Sequence, residues 1–154
     1  MAADQPTSRP PVVLTRDGRT WIEERLERIR RRLQDIDENL VNERTEELVT
    51  DRERLREQAE ELEVLLRDAV APADVIDDPT IVELGDEIEV EFDDGEREAF
   101  LVVHPVEAGM DEHRTSSDAP LAMAVLGARP GDTVTVHSPA GEYTCTIVRR
   151  DRIG

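Results

Sequence analysis

Residues 15–71 read TRDGRTWIEERLERIRRRLQDIDENLVNERTEELVTDRERLREQAEELEVLLRDAVA, and the rest of the chain is arranged around this segment. Its apolar residues recur at alternating steps of three and four, which is the seam pattern of a coiled coil. The seam positions are Ile22, Leu26, Ile29, Leu33, Ile36 and Leu40 in a first arm and Leu55, Ala59, Leu62, Leu66 and Ala69 in a second. Residue numbers of facing positions have a nearly constant sum, 91 for Ile22 with Ala69, Ile29 with Leu62 and Ile36 with Leu55, as an antiparallel hairpin requires. The stretch therefore predicts two helices folded back on each other, with the tip at residues 43–48.

Threonines mark the expected starts of both helices. Thr15 and Thr45 can each accept a hydrogen bond from an N–H group of the following helical turn. The first helix is predicted to run to about Val41, and the second to end near Pro72, because proline cannot continue a helix. We expect a disordered tail over residues 1–12, the hairpin over 13–76 and a linker over 77–80.

Residues 81–154 change to the alternating period of strands. Asp94–Gly95 is a hairpin turn signal between two alternating segments. Pro120 and Gly127 bracket a short apolar helix. The predicted strands cover residues 87–92, 99–103, 133–136 and 143–148, and Cys145 is predicted to be a strand core residue. The whole chain is therefore predicted to be α+β, with the helical hairpin followed by a small sheet domain with one short helix.

The composition limits the classes of function. The net charge is −18, from 37 acidic residues against 19 basic ones, all of them arginine. Free nucleic acid is repelled by such a surface, so a partner is either a protein with a basic groove or one that meets a local arginine patch. The single cysteine and His104, His113 and His137 show no metal-ligand spacing, and no catalytic triad or phosphate-binding loop appears. We expect no enzyme activity and, without a signal segment or a long apolar run, a cytoplasmic protein.

Several short motifs, taken in their order and spacing, are similar to those of the Gre transcript-elongation factors of bacterial RNA polymerase. The motifs are Thr15–Gly18, Val75–Asp77, Leu84–Asp86, Glu107–Ala108, Pro120–Gly127, Gly131–Asp132 and Pro139–Gly141. The resemblance covers nearly the whole chain after residue 12. It implies that the C-terminal domain is FKBP-like.

The resemblance also implies a function. The FKBP-like domain would dock on the coiled coil at the rim of the polymerase secondary channel, and the hairpin would enter the channel and modulate the active site. Tip acids Glu43, Glu46 and Glu47 would share Mg²⁺ with the polymerase active site and help it to cleave backtracked RNA. The factor would be a monomeric accessory protein without catalytic residues or a stably bound metal of its own. It would meet the nascent RNA 3′ end indirectly, make only weak or indirect DNA contact, and bind no membrane.

The tip differs from the family pattern in ways that leave its role open. Its first acid is glutamate where the family has aspartate, and the arm is about seven residues shorter than usual, which is about 5 Å of reach. The alternative reading of Glu43, Glu46 and Glu47 is a solvated loop and an acidic helix start. Stimulation of cleavage and regulation or inhibition without cleavage both remain open. Arg52, a seam position near the tip, predicts either a loosened hairpin end or an ion pair that neutralises Glu43.

One stretch of eight residues in the first helix contains five arginines, Arg25, Arg28, Arg30, Arg31 and Arg32. The resemblance implies that Arg28, Arg31 and Arg32 form a basic patch facing RNA. The alternative is ion pairing, with Glu24–Arg28 and Glu27–Arg31 along the helix and Arg30–Glu63 across the hairpin.

The resemblance places the polymerase docking contacts at Glu107, Asp118 and Pro120. Ala119 stands where the family has serine, and the alternative role of Asp118 is an ordinary helix N-cap. A different class of function, a coiled-coil adaptor unrelated to polymerase, also fits the pattern. A prolyl isomerase does not, because the domain offers only Phe92, Phe100 and Tyr143 as aromatic residues.

Overall fold

The computed structural model describes residues 12–75 and 78–153. The expected disorder of residues 1–11, and Ile76 and Asp77 of the predicted motif and linker, lie outside this range. In chain order the elements are β1 (Val12–Val13), α1 (Arg16–Asn42), α2 (Glu46–Asp68), β2 (Ala69–Val70), β3 (Asp86–Phe92), β4 (Arg97–Val103), β5 (Arg114–Ser116), α3 (Pro120–Val125), β6 (Thr133–Ser138) and β7 (Gly141–Arg152). Single 3₁₀ turns occupy Pro72–Asp74 and Pro105–Glu107.

The two long helices form the predicted hairpin and begin at the predicted threonines. The Thr15 hydroxyl accepts the Gly18 N–H at 3.0 Å, and the Thr45 hydroxyl accepts the Leu48 N–H at 3.2 Å. α1 has 27 residues and α2 has 23. At about 1.5 Å per residue, α1 is about 40 Å long. The prediction of two capped, antiparallel helices is confirmed.

The seam positions supply the buried face of the hairpin. The most buried of them are Ile22, Leu26, Ile29, Ile36, Ala59 and Leu62. Two ion pairs cross between the helices, Arg30 to Glu63 at 3.1 Å and Arg52 to Asp37 at 2.9 Å. Their residue numbers add to 93 and 89, on either side of the constant predicted from the seam. The helices therefore pair in the predicted register.

The base of the hairpin differs from the prediction. β1 and β2 pair in parallel, Val12 with Ala69 and Val13 with Val70. The Leu14 N–H also donates to the Val70 carbonyl at 3.0 Å. Since this pairing needs extended backbone, α2 ends at Asp68, before the expected Pro72 boundary. Val12, which was predicted to be in the disordered tail, belongs to a strand.

The C-terminal domain is a five-stranded sheet in the order β5-β4-β3-β7-β6. All of its pairings are antiparallel except β4 with β5. The four predicted strands are present, and β5 was missed. Arg114–Ser116 contains no apolar residue, so nothing in its sequence suggested a strand.

The sheet and α3 enclose a core separate from the hairpin seam. It contains Val82, Ile88, Val90, Phe100, Val102, Ala122, Val125, Val136, Cys145 and Ile147. The core role of Cys145 is confirmed, and burial raises the pKa of its thiol. Gly95 adopts a φ of +87° in the turn between β3 and β4, as its turn motif predicted. The α+β prediction, with a small sheet domain after the hairpin, is confirmed.

Helix α3 begins without a side-chain cap. Its N-cap is Ala119, not Asp118 as one interpretation had it, and Ala119 offers no acceptor to the first turn. We expect Ala119→Ser to raise the free energy of unfolding by about 1 kcal/mol, because a hydroxyl there can accept a first-turn N–H. Urea denaturation followed by circular dichroism measures the change. Ala119→Val, which changes size without adding an acceptor, is the control, and an equal gain from both variants would contradict the capping argument.

Neither long helix, nor any other helix in residues 12–75 and 78–153, combines the length and the apolar character that a bilayer crossing needs.

Candidate functional site

The free end of the hairpin is a short connection of exposed polar residues. Glu43 ends α1 with extended backbone, and its N–H donates to the Asn39 carbonyl at 2.9 Å. Arg44 follows, and Thr45 starts α2. Val41 on the last turn of α1 is 84% exposed. The chain therefore presents both charged and apolar side chains at the point farthest from the sheet domain.

The predicted tip acids are exposed and carry no ion pair within the part of the chain that the structure describes. Glu43 lies before the reversal, whereas Glu46 and Glu47 are the first two residues of α2. Carboxylate oxygens are the ligands that Mg²⁺ prefers, so the donor type fits this metal. No group of three or more His, Cys, Asp or Glu side chains placed to hold a metal occurs in residues 12–75 and 78–153. Within these residues the tip therefore presents exposed carboxylate oxygens but no complete set of metal ligands.

Arg52 does not neutralise the tip. Its Nε lies 2.9 Å from Oδ1 of Asp37, which precedes the predicted partner Glu43 by six residues and so lies more than one helical turn farther from the tip. The interpretation of Arg52 as a clamp on Glu43 is therefore wrong. Asp37 flanks the seam on α1 and meets Arg52 across the helix interface, which leaves the Glu43 carboxylate unpaired.

The arginines of α1 divide into two groups. Arg30 binds Glu63 across the hairpin at 3.1 Å, and Arg31 lies 3.8 Å from Glu27, as the ion-pair interpretation predicted. The third pair, Glu24–Arg28, does not form. Among the described residues, no ion pair reaches the guanidinium groups of Arg25, Arg28 and Arg32. These three side chains share one side of α1, since their spacings are three and four residues.

The joint between the hairpin base and the sheet domain is formed by Thr15, Gly18 and Glu107, and it contains a buried carboxylate. Glu107 has no exposed surface, and its Oε2 accepts the Thr15 N–H at 2.8 Å. Its Oε1 accepts the Thr15 hydroxyl at 2.5 Å and lies 3.5 Å from Arg114 Nε. Gly18 leaves room for this carboxylate, because an added methyl group would lie 2.0 Å from Oε1. The predicted docking residue Glu107 is therefore an internal contact, and its side chain is not available to a partner.

The other predicted docking residues lie on the surface. Asp118 is exposed and accepts a hydrogen bond from the Ser116 hydroxyl. Pro120 is half-buried and lines a shallow cavity of about 240 Å³ with Met123, Ala124, Thr135 and His137. Met123 is 65% exposed. Unlike Glu107, Asp118 and Pro120 are therefore accessible at the surface of the sheet domain.

His104 lies at the same joint and gives it a pH dependence. Its Nδ1 accepts the Val106 N–H at 3.1 Å. Burial lowers the pKa of the ring below its usual 6.5, although Glu107 and Asp118 act in the opposite direction. The neutral ring therefore adds stability that is fully present above about pH 6.5 and is lost as the pH falls through the folded-state pKa.

We expect His104→Asn to flatten the fall in stability between about pH 7.5 and pH 5.5, because an amide oxygen accepts the same N–H without titrating. Urea denaturation at both pH values gives the slope for each variant. His137→Asn, at an exposed histidine, is the control. An unchanged slope in His104→Asn would contradict the assignment.

The comparisons with known proteins agree with the motifs. Residues 77–149 match the family described as "Transcription elongation factor, GreA/GreB, C-term". This part of the chain is therefore similar to the C-terminal domain of the Gre factors. Transcription elongation factor GreA of Geobacillus kaustophilus is 40% identical over 88 residues, which are 56% of each chain. GreA of Bacillus cytotoxicus is 36% identical over 89 residues, 57% of this chain and 56% of the relative. The match thus spans about half the length of these curated Gre relatives.

Solved structures related to Gre factors align over more of the chain. GreA factor homolog 1 (Gfh1) of Thermus thermophilus is 28% identical and covers 92% of this chain and 99% of its own, with a TM-score of 0.41. Gfh1 of Thermus aquaticus is 26% identical, with coverage of 92% and 98% and a TM-score of 0.43.

The Gre motifs of this chain are concentrated at the joint and not at the tip. Thr15 and Gly18 meet Glu107, and Gly85 packs against Pro72, where an added methyl group would lie 2.7 Å from Cγ. The sequence alone did not predict that the Thr15–Gly18 motif contacts the Glu107–Ala108 motif, although Thr15 and Glu107 are 92 residues apart. The exposed side chain of Met123 was also not predicted. Ala122 and Val125 are buried on the opposite side of α3, which leaves Met123 on the solvent side.

Proposed function

We propose that this chain is a Gre-type factor that binds bacterial RNA polymerase, inserts its hairpin into the secondary channel and modulates the active site from the tip. The observation that carries the proposal is the set of exposed, unpaired tip carboxylates at the end of a helical arm about 40 Å long. A rigid arm of this kind can reach a recessed site that the sheet domain cannot enter. The GreA relatives, named as transcription elongation factors, support the choice of partner.

In this proposal the factor is an accessory protein, and the reacting groups belong to the polymerase. Glu43, Glu46 and Glu47 would supply carboxylate oxygens to a Mg²⁺ that the polymerase also holds. Such a metal activates a water and stabilises the leaving oxygen of a displacement at phosphorus. The chain's own contribution is to carry these acids to the site and to displace solvent around them.

The unpaired side of α1 fits contact with the nucleic acid that leaves the active site. Arg25, Arg28 and Arg32 have no carboxylate partner among the described residues, so their guanidinium groups are available to phosphates. Arg31, which was predicted to belong to the patch, is paired with Glu27 at 3.8 Å and exposed, so it remains a weaker candidate. The RNA 3′ end, displaced into the channel, is the proposed target.

The sheet domain suits docking on a basic or mixed protein surface. Residues 78–153 contain 17 Asp and Glu against 6 Arg. Asp118, Pro120 and Met123 form an exposed acidic and apolar edge beside the shallow cavity. In the proposed complex this edge contacts the coiled coil at the channel rim, while the hairpin points inward.

The deciding experiment uses halted elongation complexes with the active-site Mg²⁺ replaced by Fe²⁺. Hydroxyl radicals formed there cut only polypeptide close to the metal, so we expect cuts at residues 43–47 and none at the hairpin base. Labelled RNA in parallel reactions with Mg²⁺ shows the direction of the effect. Short 3′ fragments indicate stimulated cleavage, and slowed synthesis without fragments indicates inhibition.

The same experiment separates the polymerase factor from the adaptor. A chain that neither binds the polymerase nor is cut at the tip would overturn the proposal. Competition is a second readout, since a channel ligand must be displaced by an established Gre factor. An adaptor that binds the polymerase elsewhere would be neither displaced nor cut.

A further inference from the structure

We propose that Glu107 is a positioning residue that sets the direction in which the hairpin projects from the sheet domain. The inference rests on the proposed function for its consequence at the polymerase, but its structural part concerns the free protein. The proposed role of the loop that contains Glu107 and Ala108 is to position the hairpin, and not to contact a partner.

The contacts of Glu107 are those of a fixed internal attachment. The carboxylate is fully buried, and both of its oxygens bind Thr15, the residue on which α1 begins. The N-terminus of a helix carries partial positive charge, which favours a carboxylate at this position. Arg114 approaches the same oxygen from β5 at 3.5 Å, so the carboxylate is held between the helix start and the sheet.

A second attachment lies where the chain leaves the hairpin. Pro72 packs against Gly85, and Arg152 donates to the Pro72 carbonyl while it binds Glu83 at 3.0 Å. One attachment alone would fix the position of the hairpin base and still permit rotation about it. The Pro72 contact and the Glu107 contact together restrict the direction as well, because rotation is then possible only about the line that joins them. Loss of Glu107 is therefore expected to free a rotation without detaching the hairpin.

The length of the arm amplifies any rotation at its base. For a helix of about 40 Å, a tilt of about 10° moves the tip by about 7 Å. Carboxylate oxygens bind Mg²⁺ at about 2.1 Å, so a displacement of that size removes the tip acids from a metal. Functional groups must be held to within roughly 0.5 Å of their productive positions, and this joint is the element that can do so.

Gly18 provides a second way to disturb the same contact. Alanine there would place its methyl group 2.0 Å from Oε1 and 2.6 Å from Cγ of Glu107, so the whole side chain has to move. Alanine also has the higher helix propensity, so Gly18→Ala does not weaken α1 itself. The substitution therefore displaces the carboxylate while it preserves the helix and the charge.

The test measures the distance between spin labels on the tip and the sheet domain of the full chain. Glu47 and Glu96, both exposed, are replaced by cysteine, and Cys145, the single native cysteine, is replaced by alanine in every sample. We expect one narrow distance distribution in the parent chain. It should shift or broaden by about 5 Å or more in Glu107→Ala and in Gly18→Ala, from the lever estimate above. Glu107→Gln, which keeps the shape and one acceptor, should lie closer to the parent.

The matched control is Glu112→Ala, which removes an exposed carboxylate from the same loop. Its distribution should equal that of the parent. If Glu107→Ala does not fold, Gly18→Ala decides the question. Parent-like distributions in folded Gly18→Ala and Glu107→Ala would overturn the inference.

The polymerase assay then tests the consequence separately. In Glu107→Ala we expect the half-maximal concentration for binding to stay within about threefold of the parent, since the exposed docking edge is intact. The maximal effect on RNA synthesis or cleavage should fall. Changed label distances with no polymerase effect in any variant would reject the proposed function and leave the positioning role standing. Unchanged label distances together with an active parent protein would reject the positioning role and leave the proposed function standing.

Discussion

Glu107→Ala is expected to lower the free energy of unfolding by about 3 kcal/mol, one of the two largest effects that the structure predicts. Removal of one partner from a buried charged contact costs about 3–5 kcal/mol, and a buried donor left without an acceptor costs about 1–3 kcal/mol. The Thr15 N–H and hydroxyl both lose their acceptor in this variant. Arg114 keeps its ion pair with Asp111, and opening of the joint would let water reach Thr15, so the lower end of the range is expected.

Urea denaturation followed by far-UV circular dichroism measures this difference. Glu107→Gln should lose less, because the amide oxygen can still accept one hydrogen bond. Glu112→Ala, at an exposed position of the same loop, should stay within about 0.5 kcal/mol of the parent. A Glu107→Ala variant as stable as Glu112→Ala would show that the buried carboxylate does not stabilise the fold.

The second large effect concerns the tip. Glu43→Ala combined with Glu46→Ala is expected to remove the effect of the protein on RNA polymerase, and any release of 3′ RNA fragments should fall about 100-fold or more. A metal in such a displacement contributes several kcal/mol, and each 1.4 kcal/mol is tenfold in rate. The fold should be unaffected, since both side chains are exposed and unpaired in the described structure.

Rates of fragment release and of RNA extension in halted elongation complexes measure this effect. Glu57→Ala combined with Glu60→Ala is the matched control, because it removes two exposed acids from the middle of α2. The control lowers the negative charge by the same amount and leaves the tip unchanged. Equal losses in the two double variants would mean that the overall charge of the arm, and not the tip, carries the effect.

The hairpin could be predicted in detail because its determinants are local and periodic. Spacings of three and four placed Ile22 and Ile29 on one stripe, and the facing stripe followed from Leu62. Capping by Thr15 and Thr45 depends on residues three positions away, so it could be read directly from the chain. The Arg30–Glu63 pair followed from the same register.

The joint could not be predicted, because it depends on contacts between distant segments. Nothing local to Glu107 indicates burial, since glutamate in a loop after a strand is ordinarily exposed. The parallel pairing of Val12 with Ala69 depends on where the two ends of the hairpin meet. Arg52 was assigned the wrong acid for a similar reason: Asp37 and Glu43 both precede the reversal, and only the packing of the helices selects Asp37.

The parallel pair of β1 with β2 brings both ends of the hairpin to one place. Insertion or deletion of one heptad in each helix would therefore change the length of the arm by about 10 Å while the same side chains still faced each other across the seam. Thr15, Gly18 and Glu107 would keep their contacts, and the tip would keep its orientation. The length of the hairpin can thus change during evolution without any change in the contacts at its base, which set its direction.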